Sequence, residues 1–229
     1  MSRTVWRTAG VLALGHVVLV LAGISQQRSP RLGDDAAAVA AEYVESEPAR
    51  ILAGGYLEAL GFVLLLPVVA FVARAVGRSS ETGRWAARTA SAAGVLYVGL
   101  SLSPGLAAGA AALYGAQHGA PLEVVSVVND VRNFTFFLSM LLLAVHAAGV
   151  GAAVLADRVL PSWLGWSGLA VAVVLVAAVP AAGLGAVDWA TLVWIVWFIA
   201  LATVMIRHRP VGDGAQAPQR IPAATPTAG

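Results

Sequence analysis

The chain has 229 residues, 59% of them hydrophobic and 11% charged, with a formal net charge of +2; soluble domains carry roughly 25% charged residues, so there is too little polar surface here to cover a soluble globule. The small net charge, with no basic run interleaved with aromatics, excludes a nucleic-acid binder. The absence of cysteine excludes disulfides, thiolate metal sites and cysteine nucleophiles.

All fourteen basic side chains are arginine, which together with the alanine and glycine excess points to a GC-rich bacterial genome. Met1 to Arg7 is short and basic, and the first span is expected over about residues 5–25, apolar apart from His16. A signal peptide begins the same way, but no A-x-A site follows Ala22-Gly23-Ile24-Ser25, so a retained span is expected. Gln26 to Arg50 is a polar segment. Within it Asp34 or Asp35 can cap a short helix from Ala36 to Glu47, stopped by Pro48, whose thin apolar stripe of Val39, Tyr43 and Val44 suits a small lid over a bundle.

Ile51 to Ala73 is the second expected span and contains Glu58 and Pro67. A polar loop from Arg74 to Arg88 precedes a third span over Ala90 to Ala116, kinked at Pro104. Gln117 to Arg132 is expected as a loop, with Asn133 to Ala156 as the fourth span; Asn129 or Asp130 would cap it, and an acid there suits the helix dipole. Leu164 to Ala182 and Trp189 to Ile206 complete six spans, joined tightly enough by Gly183 to Asp188 to be antiparallel neighbours. The tail over 207–229, with Pro210, Pro218, Pro222 and Pro226, has too few apolar residues to pack and is expected to be disordered. The fold class is therefore all-α, a polytopic transmembrane bundle of six spans.

Ten arginines fall on the side of both termini and the second and fourth loops, against Arg28, Arg31, Arg50 and Arg132 on the other. By the positive-inside rule both termini are cytoplasmic, in the cell membrane. Trp6, Trp85, Trp163 and Trp166 fall at the same inner boundary, as an aromatic belt would.

Ionisable groups inside spans are expensive unless they face the bundle interior, so each is a candidate site. Glu58 lies about 10 Å below the outer boundary by helical rise, as a protonatable carboxylate on a transport path or as the partner of Arg132 or Arg50. His16 and His146 lie about 15 Å from the inner ends of their helices, at similar depth. Asn129, Asp130, Arg132 and Asn133 form the densest polar cluster beside a span: helix caps, or the polar mouth of a cavity above Glu58.

Other patterns carry less. Gly99-Leu100-Ser101-Leu102 matches the G-x-S-x of intramembrane serine proteases, with His146 as nominal base, but nucleophilic catalysis needs that hydroxyl within reach of the imidazole and an oxyanion site. The two histidines would have to face each other at one level to ligate haem. No HExxH, P-loop or GxGxxG occurs, and no cofactor or metal is expected. Gly105 and Gly109 form a GxxxG, a close helix contact.

The segment Ala156-Asp157-Arg158-Val159-Leu160-Pro161-Ser162-Trp163-Leu164-Gly165-Trp166, which follows the fourth span, resembles the R-x-L-P-x-W-L-G turn of a family of bacterial six-span membrane proteins catalogued as a domain of unknown function. The stretch from Gly33 to Leu60 and the closing Leu-, Val- and Trp-rich span are similar to the same family. The resemblance implies the fold and assigns no catalytic residue. The expected function is that of a non-enzymatic accessory, sensor or scaffold component in the lipid bilayer, acting with a membrane-protein partner or as a homo-oligomer. The alternative is a small permease or proton-coupled transporter using Glu58 and His146.

Overall fold

A computed structural model describes residues 1–27 and 30–208, all helix and short turns. The predicted tail lies outside the described residues apart from Arg207 and His208. The elements are α1 (Arg3–Gln26), α2 (Ala36–Glu45), α3 (Pro48–Ala75), α4 (Glu81–Leu100), a π-helical segment (Ser101–Leu106), α5 (Ala107–Gln117), α6 (Leu122–Asp157), α7 (Ser162–Ala178), a 3-10 segment (Val179–Leu184) and α8 (Ala186–Arg207). Among the described residues six helical stretches are long and apolar enough to cross a bilayer: α1, α3, α4 through α5, α6, α7 with most of the 3-10 segment, and α8. They mark a multi-pass membrane protein.

The spans pack in chain order, and α8 returns to α1 to close a ring. Both ends of the described chain therefore lie together, with the Trp6 ring 4.2 Å from that of His208 and edge-on to Phe71 at 4.9 Å. This is called the terminal end below, and the opposite end, which carries α2, the lid end. Aromatic side chains occupy the middle of the ring. Phe62, Tyr97, Trp194 and Phe198 meet there around His16.

Close approach at two of the seams is licensed by small residues, as expected where lipid supplies no hydrophobic drive between helices. A Cβ on Gly23 would lie 2.6 Å from the Gly54 carbonyl oxygen across α1 and α3, and one on Gly149 2.8 Å from that of Ala86 across α4 and α6. The Gly105 and Gly109 pair also faces α6, against Thr135 and Arg132.

At the lid end Asp35 caps α2 by accepting from the Ala37 and Ala38 amides at 2.8 and 3.2 Å. Val39, Ala40 and Tyr43 bury against Ile51, Ala112, Leu113 and Val125, a second small core beneath the lid. Val44 of the predicted stripe is exposed.

Several boundaries differ from the sequence expectation. Helix α4 begins at Glu81, not Ala90, because Ser80 caps it and Arg84 and Arg88 stay on its exposed face. Helix α6 begins at Leu122, so Asn129, Asp130, Arg132 and Asn133 are helix interior and none is a cap; Pro121 holds the cap position. The apolar Val124, Val125, Val127 and Val128 let that helix continue outward to carry the lid. Trp6 is 3% exposed and packs inside the bundle, whereas Trp85, Trp163 and Trp166 are exposed as belt residues should be.

At the terminal end, the turn after α6 is closed by Arg158 in the left-handed region at φ 52°. Asp157 accepts from the backbone amides of Arg78, Ser79 and Ser80 at 2.5 to 3.0 Å and from the Ser80 hydroxyl at 2.6 Å. One carboxylate thus ties the α3–α4 turn to the end of α6. Burial works against its charge, but these donors outweigh it and hold the carboxyl below the ordinary aspartate range.

Candidate functional site: a lidded polar chamber

A network of polar side chains lies beneath α2. Tyr43 reaches down from the lid and donates its hydroxyl to Asn129 Oδ1 at 2.9 Å. Gln117, at the end of α5, donates to the Tyr43 carbonyl at 2.9 Å. Asn133, one turn after Asn129, donates to the carbonyls of Asn129 and Pro30 at 3.2 and 3.4 Å. Asn129 is wholly buried, and its Nδ2 has no partner among the described residues. Arg132 stands within hydrogen-bonding range of the Tyr43 phenol and within electrostatic range of Glu58. Burial pushes the Tyr43 phenol up, against the pull of that guanidinium, so it stays a hydroxyl donor.

Glu58 sits on α3 just below. Gln27, at the end of α1, donates to its Oε1 at 2.5 Å. Of the two arginines considered as partners, Arg132 acts on Glu58, while Arg50 donates to Gln26 at 3.1 Å. Tyr97 on α4 lies within electrostatic range of Glu58. The chamber thus joins Glu58, Arg132, Asn129 and Asn133 from the sequence candidates with Gln27 and Tyr43, and Asp130 lies on the same helix, half-buried.

A cavity of about 330 Å³ opens beside this network. Gln27, Tyr43 and Arg132 form its polar wall, and the rest is apolar, including Leu52 and Ala59 of α3 and Leu102 and Leu106 of the π segment. Its origin is local. Pro104 has no amide hydrogen to donate, and the chain passes it as a π turn from Ser101 to Leu106. Beyond that turn α5 leans on α6 and the lid, leaving space beside α3.

The histidines lie elsewhere. His16 is 1% exposed and, because a carbonyl can only accept, its Nδ1–H donates to the Gly61 carbonyl at 2.8 Å. His146 donates in the same way to Ala90 at 2.8 Å. Each imidazole ties one span to its neighbour, α1 to α3 and α6 to α4, and neither lines the cavity. They do not face each other at one level: Val69, which packs with His146 around Gly94, is eight residues from Gly61, about 12 Å along α3. Ser101 is eleven residues beyond the Ala90 carbonyl that holds His146, about 16 Å of helix, so the Ser101 and His146 pairing is not formed. Among the described residues no three His, Asp or Glu side chains are grouped closely enough to hold a metal ion.

Residues 8–206 match a family model described as Domain of unknown function (DUF4386), and the chain belongs to that family. No curated protein and no solved structure matches it.

Proposed function

Starting from membership of a family with no assigned activity, we propose that this chain is a non-enzymatic accessory or sensor component of the cell membrane whose lidded chamber binds a small molecule. The observation that carries this is the coincidence of a cavity of about 330 Å³ with a polar wall beneath its own lid helix, at the small end of the volume range of ligand pockets. Both termini are cytoplasmic in this reading, supported by the arginine asymmetry, so the lid faces outward. A membrane-protein partner or a second copy would receive the signal.

The test is thermal stabilisation of purified protein by a panel of water-soluble and membrane-soluble compounds, run beside Ala110→Trp, which fills the cavity. A ligand at about a hundred times its Kd raises stability by about 2.7 kcal/mol. Stabilisation of the wild type alone supports the proposal. No compound distinguishing the two proteins would remove it.

A second reading, a small proton-coupled permease, is favoured by Glu58, a carboxylate inside a span within electrostatic range of Arg132 and Tyr97. His146 lies outside this path, so coupling falls on Glu58. Glu58→Gln protein that sustains undiminished proton-linked uptake in proteoliposomes would end that reading.

A further inference from the structure

The chamber's mouth and its wall differ in character. Leu52 and Tyr56 line the cavity, yet they are 56% and 66% exposed. On α3 they begin a stripe that continues through Leu60 and Val63, apolar and exposed at helical spacing. On a helix that crosses the bilayer such a stripe faces lipid. The cavity therefore opens sideways, onto the hydrocarbon, where α5 has turned away from α3. Its inner wall carries Arg132, while Glu58, which also feels that charge, is capped by Gln27 and does not line the cavity.

We infer that the chamber takes a single-chain amphiphile with a carboxylate head, entering laterally from the bilayer. The head reaches the Arg132 guanidinium, beside the Tyr43 phenol whose hydrogen stays with Asn129, and the chain lies along Leu106, Leu102 and Leu52. Three features select this class. The volume suits one short chain rather than two. An arginine fork in an apolar setting favours a planar carboxylate over a neutral alcohol. The lipid-facing mouth favours a molecule already dissolved in the membrane over a soluble one. The inference rests on the ligand-binding reading above and names its ligand.

The experiment uses full-length protein in phosphatidylcholine nanodiscs and radiolabelled dodecanoate. Saturable binding is expected, with dodecanol competing about tenfold less well than unlabelled dodecanoate. Ala110→Trp is expected to lose binding by about tenfold or more while keeping its melting temperature. Arg132→Lys, which retains the charge, is expected to keep part of the preference for carboxylate; Arg132→Gln, where it folds, should bind dodecanol and dodecanoate alike. Equal competition by dodecanol in the wild type, or undiminished binding to Ala110→Trp, overturns the inference. If dodecanoate fails to bind while a water-soluble compound stabilises the wild type but not Ala110→Trp, the lateral amphiphile is wrong and the ligand-binding chamber stands. If no compound separates the two proteins, both fall.

Discussion

At the residue scale, the polar groups of this chain divide into those that fasten helices and those that build the chamber. His16 and His146 belong to the first kind. Each hands its Nδ1–H to a carbonyl of a neighbouring helix, a bland role that sequence allowed but could not assign, because it depends on which helix lies opposite. Tyr43 belongs to the second. In the sequence it is one apolar-stripe position among three; only the crossing of α2 over α6 brings its hydroxyl to Asn129. Tyr43→Phe should leave a wholly buried amide without its donor, costing about 1–3 kcal/mol and speeding hydrogen exchange across α2. Unchanged exchange in α2 would show that this bond does not hold the lid. Asp157 provides a second case. Its carboxyl is lowered in the folded state, so its contribution to stability is present above the ordinary aspartate pKa and is lost as pH falls through the lowered value. Asp157→Ala should cost about 0.5–1.5 kcal/mol near neutral pH, since solvent screens most of this carboxylate's charge. It should also flatten the acid limb of a melting-temperature profile, and an acid limb as steep as the wild type's would remove the assignment.

At the element scale, two devices set the geometry. The first is the pair of small-residue seams, which bring backbones close enough for side-chain-to-carbonyl bonds. A Cβ at Gly149 meets the Ala86 carbonyl oxygen and the Ala90 amide, both backbone and unable to yield. Gly149→Val should therefore cost about 1–3 kcal/mol by overpacking, measurable as a lower unfolding midpoint in detergent. A wild-type midpoint would mean the seam is looser than described. The second device is the π turn at Pro104. The proline announced a kink in the sequence, but not that the wide turn would split the third span and open a cavity beside α3. Pro104→Ala restores an amide donor and should let the span straighten toward α-helical geometry. Ligand-dependent stabilisation is then expected to shrink, with α5 exchanging more slowly.

At the scale of the whole molecule, six spans close a ring with both described ends on one side. Because the natural chain has no cysteine, single introduced thiols report its orientation directly. Glu123→Cys on the lid end should react with a membrane-impermeant maleimide in intact cells, and Ser79→Cys on the terminal end should react only after permeabilisation. The reverse pattern would invert the proposed topology. The number of spans was legible in the sequence alone, because hydrocarbon thickness and the cost of bare backbone polar groups in lipid leave a run of about twenty apolar residues one fate. So was a short capped helix after Asp34 and Asp35, a local motif that needs no distant partner; which of the two caps it, Asp35, came from the structure. The tertiary structure alone decided that α6 runs on through Asn129 to Asn133, that Trp6 turns inward, that the two histidines work at separate seams, and that Gln27, Tyr43, Glu58 and Arg132 gather under one lid. The reason is physical: bilayer and capping rules act along the chain, whereas the partner of a buried polar group is fixed by which helix faces match, and that is a property of the packed bundle.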